Sequence, residues 1–87
     1  MIKGDGGLEY NEIYVERILK LCKERKISVN KLATMSGVSQ STLDNIVRKI
    51  TKNPGASTLH KIANAFNMTL AEFLDFKELN EYSFDDE

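Results

Sequence analysis

The stretch from Ile27 to Arg48, ISVNKLATMSGVSQSTLDNIVR, constrains this chain more than any other. Apolar residues fall at Val29, Leu32 and Ala33, then at Val38, then at Leu43 and Ile46. The first group and the last pair have helical spacing. Ser28 and Ser39 each stand directly before one of these segments, where a hydroxyl can accept a bond from a first-turn amide. Gly37 sits where the first segment must stop, and glycine takes a left-handed turn there without steric cost. The pattern predicts two short helices, about 29–35 and 40–48, joined by a tight corner. Ala33 is small enough to let them approach closely where they cross.

The second of these helices has two unlike faces. At ~100° per residue, Gln40, Asp44, Arg48, Ser41 and Asn45 share one arc, and Leu43 and Ile46 oppose it. The aliphatic side fixes the helix to its neighbours and leaves a polar side in water. A major groove admits one helix, and amide side chains can bond base edges there. That is the arrangement of a helix-turn-helix reading helix.

Here the chain resembles the lambda-repressor-like helix-turn-helix domains, the XRE or Cro/repressor group. The residues that carry the resemblance are Ile27-Ser28, Leu32-Ala33, Gly37-Val38-Ser39, Thr42-Leu43 and Ile46. Downstream they are Asn53-Pro54, Thr58-Leu59, Lys61-Ile62-Ala63, Ala65-Phe66, Met68-Thr69-Leu70 and Glu72-Phe73-Leu74. No single motif among them is specific; the ordered series from about Arg17 to Leu74 is. It implies an all-α fold: a compact five-helix domain over residues 10–76, with a flexible N-terminus over 1–9 and an acidic tail over 77–87.

The resemblance also implies roles. Gln40, Ser41 and Asn45 match base-contacting positions, and Asp44 lies within the same face. Asp44 could accept from cytosine N4 or repel phosphates. Phosphate contacts are expected from Asn30, Lys31 and Thr42, and from Arg48, Lys49, Lys52 and Asn53 flanking the groove. Phe73, Leu74 and Phe76, near the last helices, are candidates for a homodimer face. Three positions depart from the family's habit. Val29 stands where glutamine is usual, so the phosphate bond of that glutamine cannot form and Asn30 or Lys31 must substitute. Ser36 replaces an apolar residue. Lys49 stands near a usual glycine, so a left-handed turn there would carry strain.

Eighty-seven residues make one domain, which can hold a small core but no deep catalytic cleft. One cysteine excludes an intrachain disulfide and suits a reducing compartment. Cys22 reads as a small core residue. The opening MIKGDGG has no apolar core of a signal peptide, and no run is long enough to span a bilayer. A cytoplasmic protein is expected. His60 has no acid or nucleophile at a catalytic spacing. With no Cys/His cluster and no phosphate-cradling glycine loop, the chain does not read as an enzyme. No cofactor, metal or small-molecule ligand is implied.

The net charge of −1 hides a division. Residues 13–64 carry ten Lys/Arg against three acids, or +7. Residues 65–87 carry one lysine against seven acids, or −6, and residues 1–12 carry −2. A basic body suits attraction to phosphates. The expected partner is double-stranded DNA, read as a sequence-specific regulator of repressor or restriction-modification-controller type. The competing class is a protein-interaction module, adaptor or antitoxin-like, which Val29, Asp44 and the acidic end favour.

The remaining expectations are local. Asn11 is expected to cap a first helix, with Tyr10 and Val15 as a staple and Val15, Ile18, Leu21 and Cys22 facing inward. Ile50 is expected to tuck beneath its loop. A helix over about 57–66 buries Leu59, Ile62, Ala63 and Phe66. Thr69 and Glu72 form a capping box for a short last helix. The tail is read as a frayed, solubilising end, or as a segment whose aromatics pack on a partner subunit.

Overall fold

The computed structural model describes residues 9–84. The expected flexible segment lies outside these residues, except for Glu9, as do the last three acids. Among the described residues six helices run in order: α1 (Tyr10–Arg25), α2 (Val29–Ser36), α3 (Gln40–Val47), α4 (Ala56–Ala65), α5 (Leu70–Leu74) and α6 (Lys77–Asn80). No strand occurs among the described residues. The all-α class holds. The five-helix count is one short, because a helical turn forms within the stretch expected to be tail.

Side chains at the caps explain three of the helix starts. Ser28 Oγ accepts from the Lys31 amide at 3.0 Å, and Ser39 Oγ from the Thr42 amide at 3.1 Å. Thr69 and Glu72 close the expected capping box, at 2.8 and 3.0 Å. Gly37 ends α2 at φ 77°. A Cβ there would meet nothing within 4 Å, so backbone conformation alone makes glycine the fitting residue.

The start of α1 differs from expectation. Its N-cap is Glu9, whose amide donates to Glu12 Oε1 at 2.9 Å. Asn11 is no cap: it lies inside the helix, only 6% exposed, with its amide group 3.5 Å from the Lys49 carbonyl. An N-cap has to stay at the helix end, in an extended conformation, with its side chain turned back to the first turn. A buried Asn11, turned toward the loop after α3, cannot do this.

One core unites the helices. α1 supplies Ile13, Val15, Ile18, Leu21 and Cys22; α2 supplies Leu32 and Ala33; α3 supplies Leu43 and Ile46; α4 supplies Leu59, Ile62 and Ala63. Val38, Phe66 and Phe73 complete it from the turns and α5. Leu32, Leu43, Ile62 and Phe73 expose no surface. Each such side chain contributes ~1.5–3 kcal/mol through removal from water. Burial places the Cys22 thiol above its ordinary titration range.

Two arginines tie the later helices to α1. Arg17 donates from Nε to the Phe73 carbonyl and from Nη2 to the Glu72 carbonyl, each at 3.0 Å, and its guanidinium lies 4.9 Å from the Phe76 ring centre. Arg25 donates to the Phe66 carbonyl at 2.7 Å, over the Phe66 ring. Both cations sit at helix C-termini, where carbonyls lack helical partners and the helix dipole favours positive charge.

The chain end folds back on α1. Leu79 and Tyr82 pack against the core. The Tyr82 and Phe84 rings lie 5.1 and 5.3 Å from Tyr10, and Tyr14 donates its hydroxyl hydrogen to Tyr10 at 2.8 Å. The aromatics expected on a partner subunit, or in a frayed end, therefore meet their own protomer. Burial, then the bond to Tyr10, pushes the Tyr14 hydroxyl well above the ordinary tyrosine range.

Candidate nucleic-acid interface

The core fixes how α3 is presented. Leu43 is fully buried and Ile46 nearly so. With those two held, Gln40, Ser41 and Asn45 are exposed and Asp44 is half-buried on the outer side. The helix thus shows solvent the arc expected from its periodicity. Its outer end is ordered by its own side chains: Gln40 Nε2 donates to Asp44 Oδ1 at 2.8 Å. The Ser39 hydroxyl also bonds the Thr42 hydroxyl at 2.8 Å. Thr42 is exposed, and its Oγ already accepts one bond.

The candidate phosphate-contacting residues flank this helix. Arg48, Lys52 and Asn53 are exposed after α3, and Asn30 and Lys31 are exposed at the start of α2. Val29 is half-buried and packs against the core. It has therefore become a packing residue at the position where the family's glutamine would carry a polar group. The Val29 and Asn30 amides that begin α2 are left without the Ser28 bond that the Lys31 amide makes, and such helix starts suit anions.

Lys49 is placed differently from its neighbours. It adopts φ 65°, as expected if it replaces a glycine. Its ammonium pairs with Glu12 Oε2 at 3.2 Å. Glu12 is held below the usual carboxylate range, first by the Glu9 amide and then by this ammonium. The sequence reading missed Glu12 because the contact spans 37 residues and no local spacing announces it. It also missed the Gln40–Asp44 bond, although a glutamine and an aspartate four apart on a helix are a recognised pair. Ile50, expected beneath the loop, is 55% exposed. The turn at Lys49 carries it away from the core.

The charge count also needs geometry. Arg17 and Arg25 belong to the +7 body, yet each is spent on helix C-termini. Of the candidate dimer-face residues, Phe73 has no exposed surface, which leaves it nothing to present. Leu74 and Phe76 are half-buried and keep some. Among the described residues no group of three His, Cys, Asp or Glu could hold a metal, and no helix is long and apolar enough to cross a membrane.

Comparison with known proteins agrees with this geometry. The chain is 39% identical over 62 residues to the HTH-type transcriptional regulator SlrR of Bacillus subtilis (strain 168), covering 70% of this chain and 41% of that protein. It is 31% identical over 67 residues to the HTH-type transcriptional regulator SinR of Bacillus licheniformis, covering 77% of this chain and 60% of that protein. It thus spans less than two thirds of either relative. No solved structure gives a significant match. The model of the Cro/C1-type HTH DNA-binding domain matches residues 17–78, the span that holds the Ser28 and Ser39 caps, the Gly37 corner and the exposed arc of α3, and the chain belongs to that family.

Proposed function

We propose that this chain acts as a sequence-specific transcriptional regulator, of repressor or restriction-modification-controller type, with α3 in the major groove. The observation that carries this is the division of α3: Leu43 and Ile46 in the core, Gln40, Ser41 and Asn45 in water. Asn45 offers a carboxamide able to bond adenine N6 and N7, and Ser41 a small adaptable hydroxyl. Arg48, Lys52 and Asn53, with Asn30, Lys31 and Thr42, hold phosphates and set the register without reading bases. Lys49 joins them by leaving Glu12. The fact that SlrR and SinR are transcriptional regulators supports this reading.

A homodimer on two half-sites belongs to the same proposal, with Leu74 and Phe76 at its face. The reading helices would then meet the duplex ~34 Å apart. A cytoplasmic location is part of the same proposal.

The test is a salt titration on a random duplex, followed by selection of bound sequences from a random pool. DNA binding gives a log–log slope that steepens with each neutralised phosphate, and a dimer gives a palindromic site. A flat slope with no recovered sequence would instead favour the protein-interaction module.

A further inference from the structure

The outer end of α3 bears on which bases it selects. Gln40 and Asp44 stand one helical turn apart, joined by the 2.8 Å bond from Nε2 to Oδ1. A carboxylate only accepts hydrogen bonds. The carboxamide therefore turns its nitrogen, not its oxygen, toward Asp44. The flip that leaves a free glutamine ambiguous is decided here by the chemistry of its partner. With the nitrogen engaged, Oε1 points away from Asp44. The bond leaves the amide oxygen, the other carboxylate oxygen and one N–H of the pair unengaged.

We propose that Gln40 and Asp44 read DNA as one unit that selects bases presenting an exocyclic amino group in the major groove, adenine or cytosine, and rejects guanine and thymine at the position it faces. This rests on the placement of α3 in the major groove proposed above. Adenine presents N6–H2 beside N7, and cytosine presents N4–H2. Both amino groups donate, and both acceptors of the pair can take them. The spare N–H of Gln40 suits adenine N7. Guanine presents N7 and O6, and thymine presents O4 and a methyl group. Against either base the Asp44 carboxylate meets an acceptor or carbon, and loses water without gaining a partner. Specificity here includes a repulsive part as well as an attractive one. The same negative charge faces the phosphates, so Asp44 lowers affinity for DNA in general while it sharpens the choice of base.

Sequence selection from a random duplex pool tests this, run with the wild-type chain, Asp44→Asn and Asp44→Ala. Thermal melts verify that each variant is folded. The wild type should recover a site with adenine or cytosine at one position, favoured by roughly 5- to 150-fold over the other two bases, the range of one good base-edge contact. Asp44→Asn keeps an oxygen that can accept from Gln40 but adds donors and removes the charge. It should admit guanine and thymine at that one position, leave the rest of the site unchanged, and bind random duplex more tightly than the wild type. Asp44→Ala should do the same and release Gln40 as well. Combined with Gln40→Ala, its loss of discrimination should be less than additive, because the two residues act together. A guanine or thymine at the affected position in the wild-type site overturns the proposal. So does a site whose base preferences do not change in either variant, which makes the bond a helix-stabilising pair alone. Those outcomes leave the DNA-reading role standing. A wild-type chain that retains no duplex at any salt concentration removes that role, and this proposal with it.

Discussion

Lys49, in the left-handed turn that ends α3, pairs across the fold with Glu12 in the first turn of α1 at 3.2 Å. Glu12 also accepts the Glu9 amide through its other oxygen. One carboxylate therefore closes the start of α1 and steadies the loop beside the proposed reading helix. Its folded-state pKa lies below the ordinary value of 4.5. A depressed carboxylate contributes stability that is present above its unfolded pKa and fades as pH falls through the folded one. Glu12→Gln should thus lower the denaturant midpoint at neutral pH, and the gap to wild type should close in acid below 4.5. Denaturant melts across that range measure it; a gap independent of pH would mean that the charge on Glu12 contributes nothing.

The same substitution makes a prediction about DNA. Lys49 without Glu12 is free to reach a phosphate at no cost in a broken ion pair. Glu12→Gln should tighten binding to random duplex and leave the log–log salt slope as in the wild type, because the same number of phosphates is neutralised. Equal affinities of variant and wild type for random duplex would place Lys49 away from the duplex.

Lys26 and Lys49 both adopt positive φ, at 59° and 65°. A side chain in that region costs ~1–2 kcal/mol relative to glycine, offset in part by the freedom glycine gives the unfolded chain. Lys26 ends α1 with its own amide bonded to the Lys23 carbonyl at 3.2 Å, and Ile27 bonds back to Cys22 at 3.0 Å. Lys26→Gly keeps these bonds and removes the strain. It should raise stability by ~0.5–1 kcal/mol in denaturant melts. Lys49→Gly should gain less, because it also gives up the pair with Glu12. The reverse order of the two would locate the strain elsewhere.

These contacts mark where the sequence was readable. Spacing placed Leu43 and Ile46 inside and Gln40, Ser41 and Asn45 outside, because a helix's own period decides which residues share a side. Ser28, Ser39, Gly37 and the Thr69–Glu72 box were legible because capping acts over three or four residues. Glu12–Lys49 and Arg17–Phe73 were not, since their partners lie 37 and 56 positions apart. Asn11 misled because a capping residue type at the right offset can equally be buried. The chain end misled for a different reason. Its composition is acidic, but Leu79 and Tyr82 have an aromatic seat to fill on α1.

Arg17 separates charge counting from geometry. By composition it belongs to a basic body; by contact it holds the C-terminal carbonyls of α5 and lies against Phe76. Arg17→Ala should cost ~1.5–3 kcal/mol of stability, the range for a hydrogen bond made by a charged group. It should leave the salt slope on random duplex unchanged. A slope shallower by about one would show that this guanidinium neutralises a phosphate.

The division of labour on α3 yields the last prediction. Asn45 and Gln40 project from the outer arc without holding any helix to another, while Arg48 caps the helix as an exposed residue. Removing a reader deletes a contact that differs among bases; removing a phosphate contact deletes one that does not. Asn45→Ala and Gln40→Ala should therefore each lose ~1–3 kcal/mol of preference for the selected site over random duplex, with binding to random duplex largely kept. Arg48→Ala should weaken both by the same factor and reduce the salt slope by about one. Competition titrations of the selected site against random duplex, at several salt concentrations, measure both quantities at once. If all three variants weakened both duplexes alike, the arc would be a charged and polar surface that holds DNA without reading it.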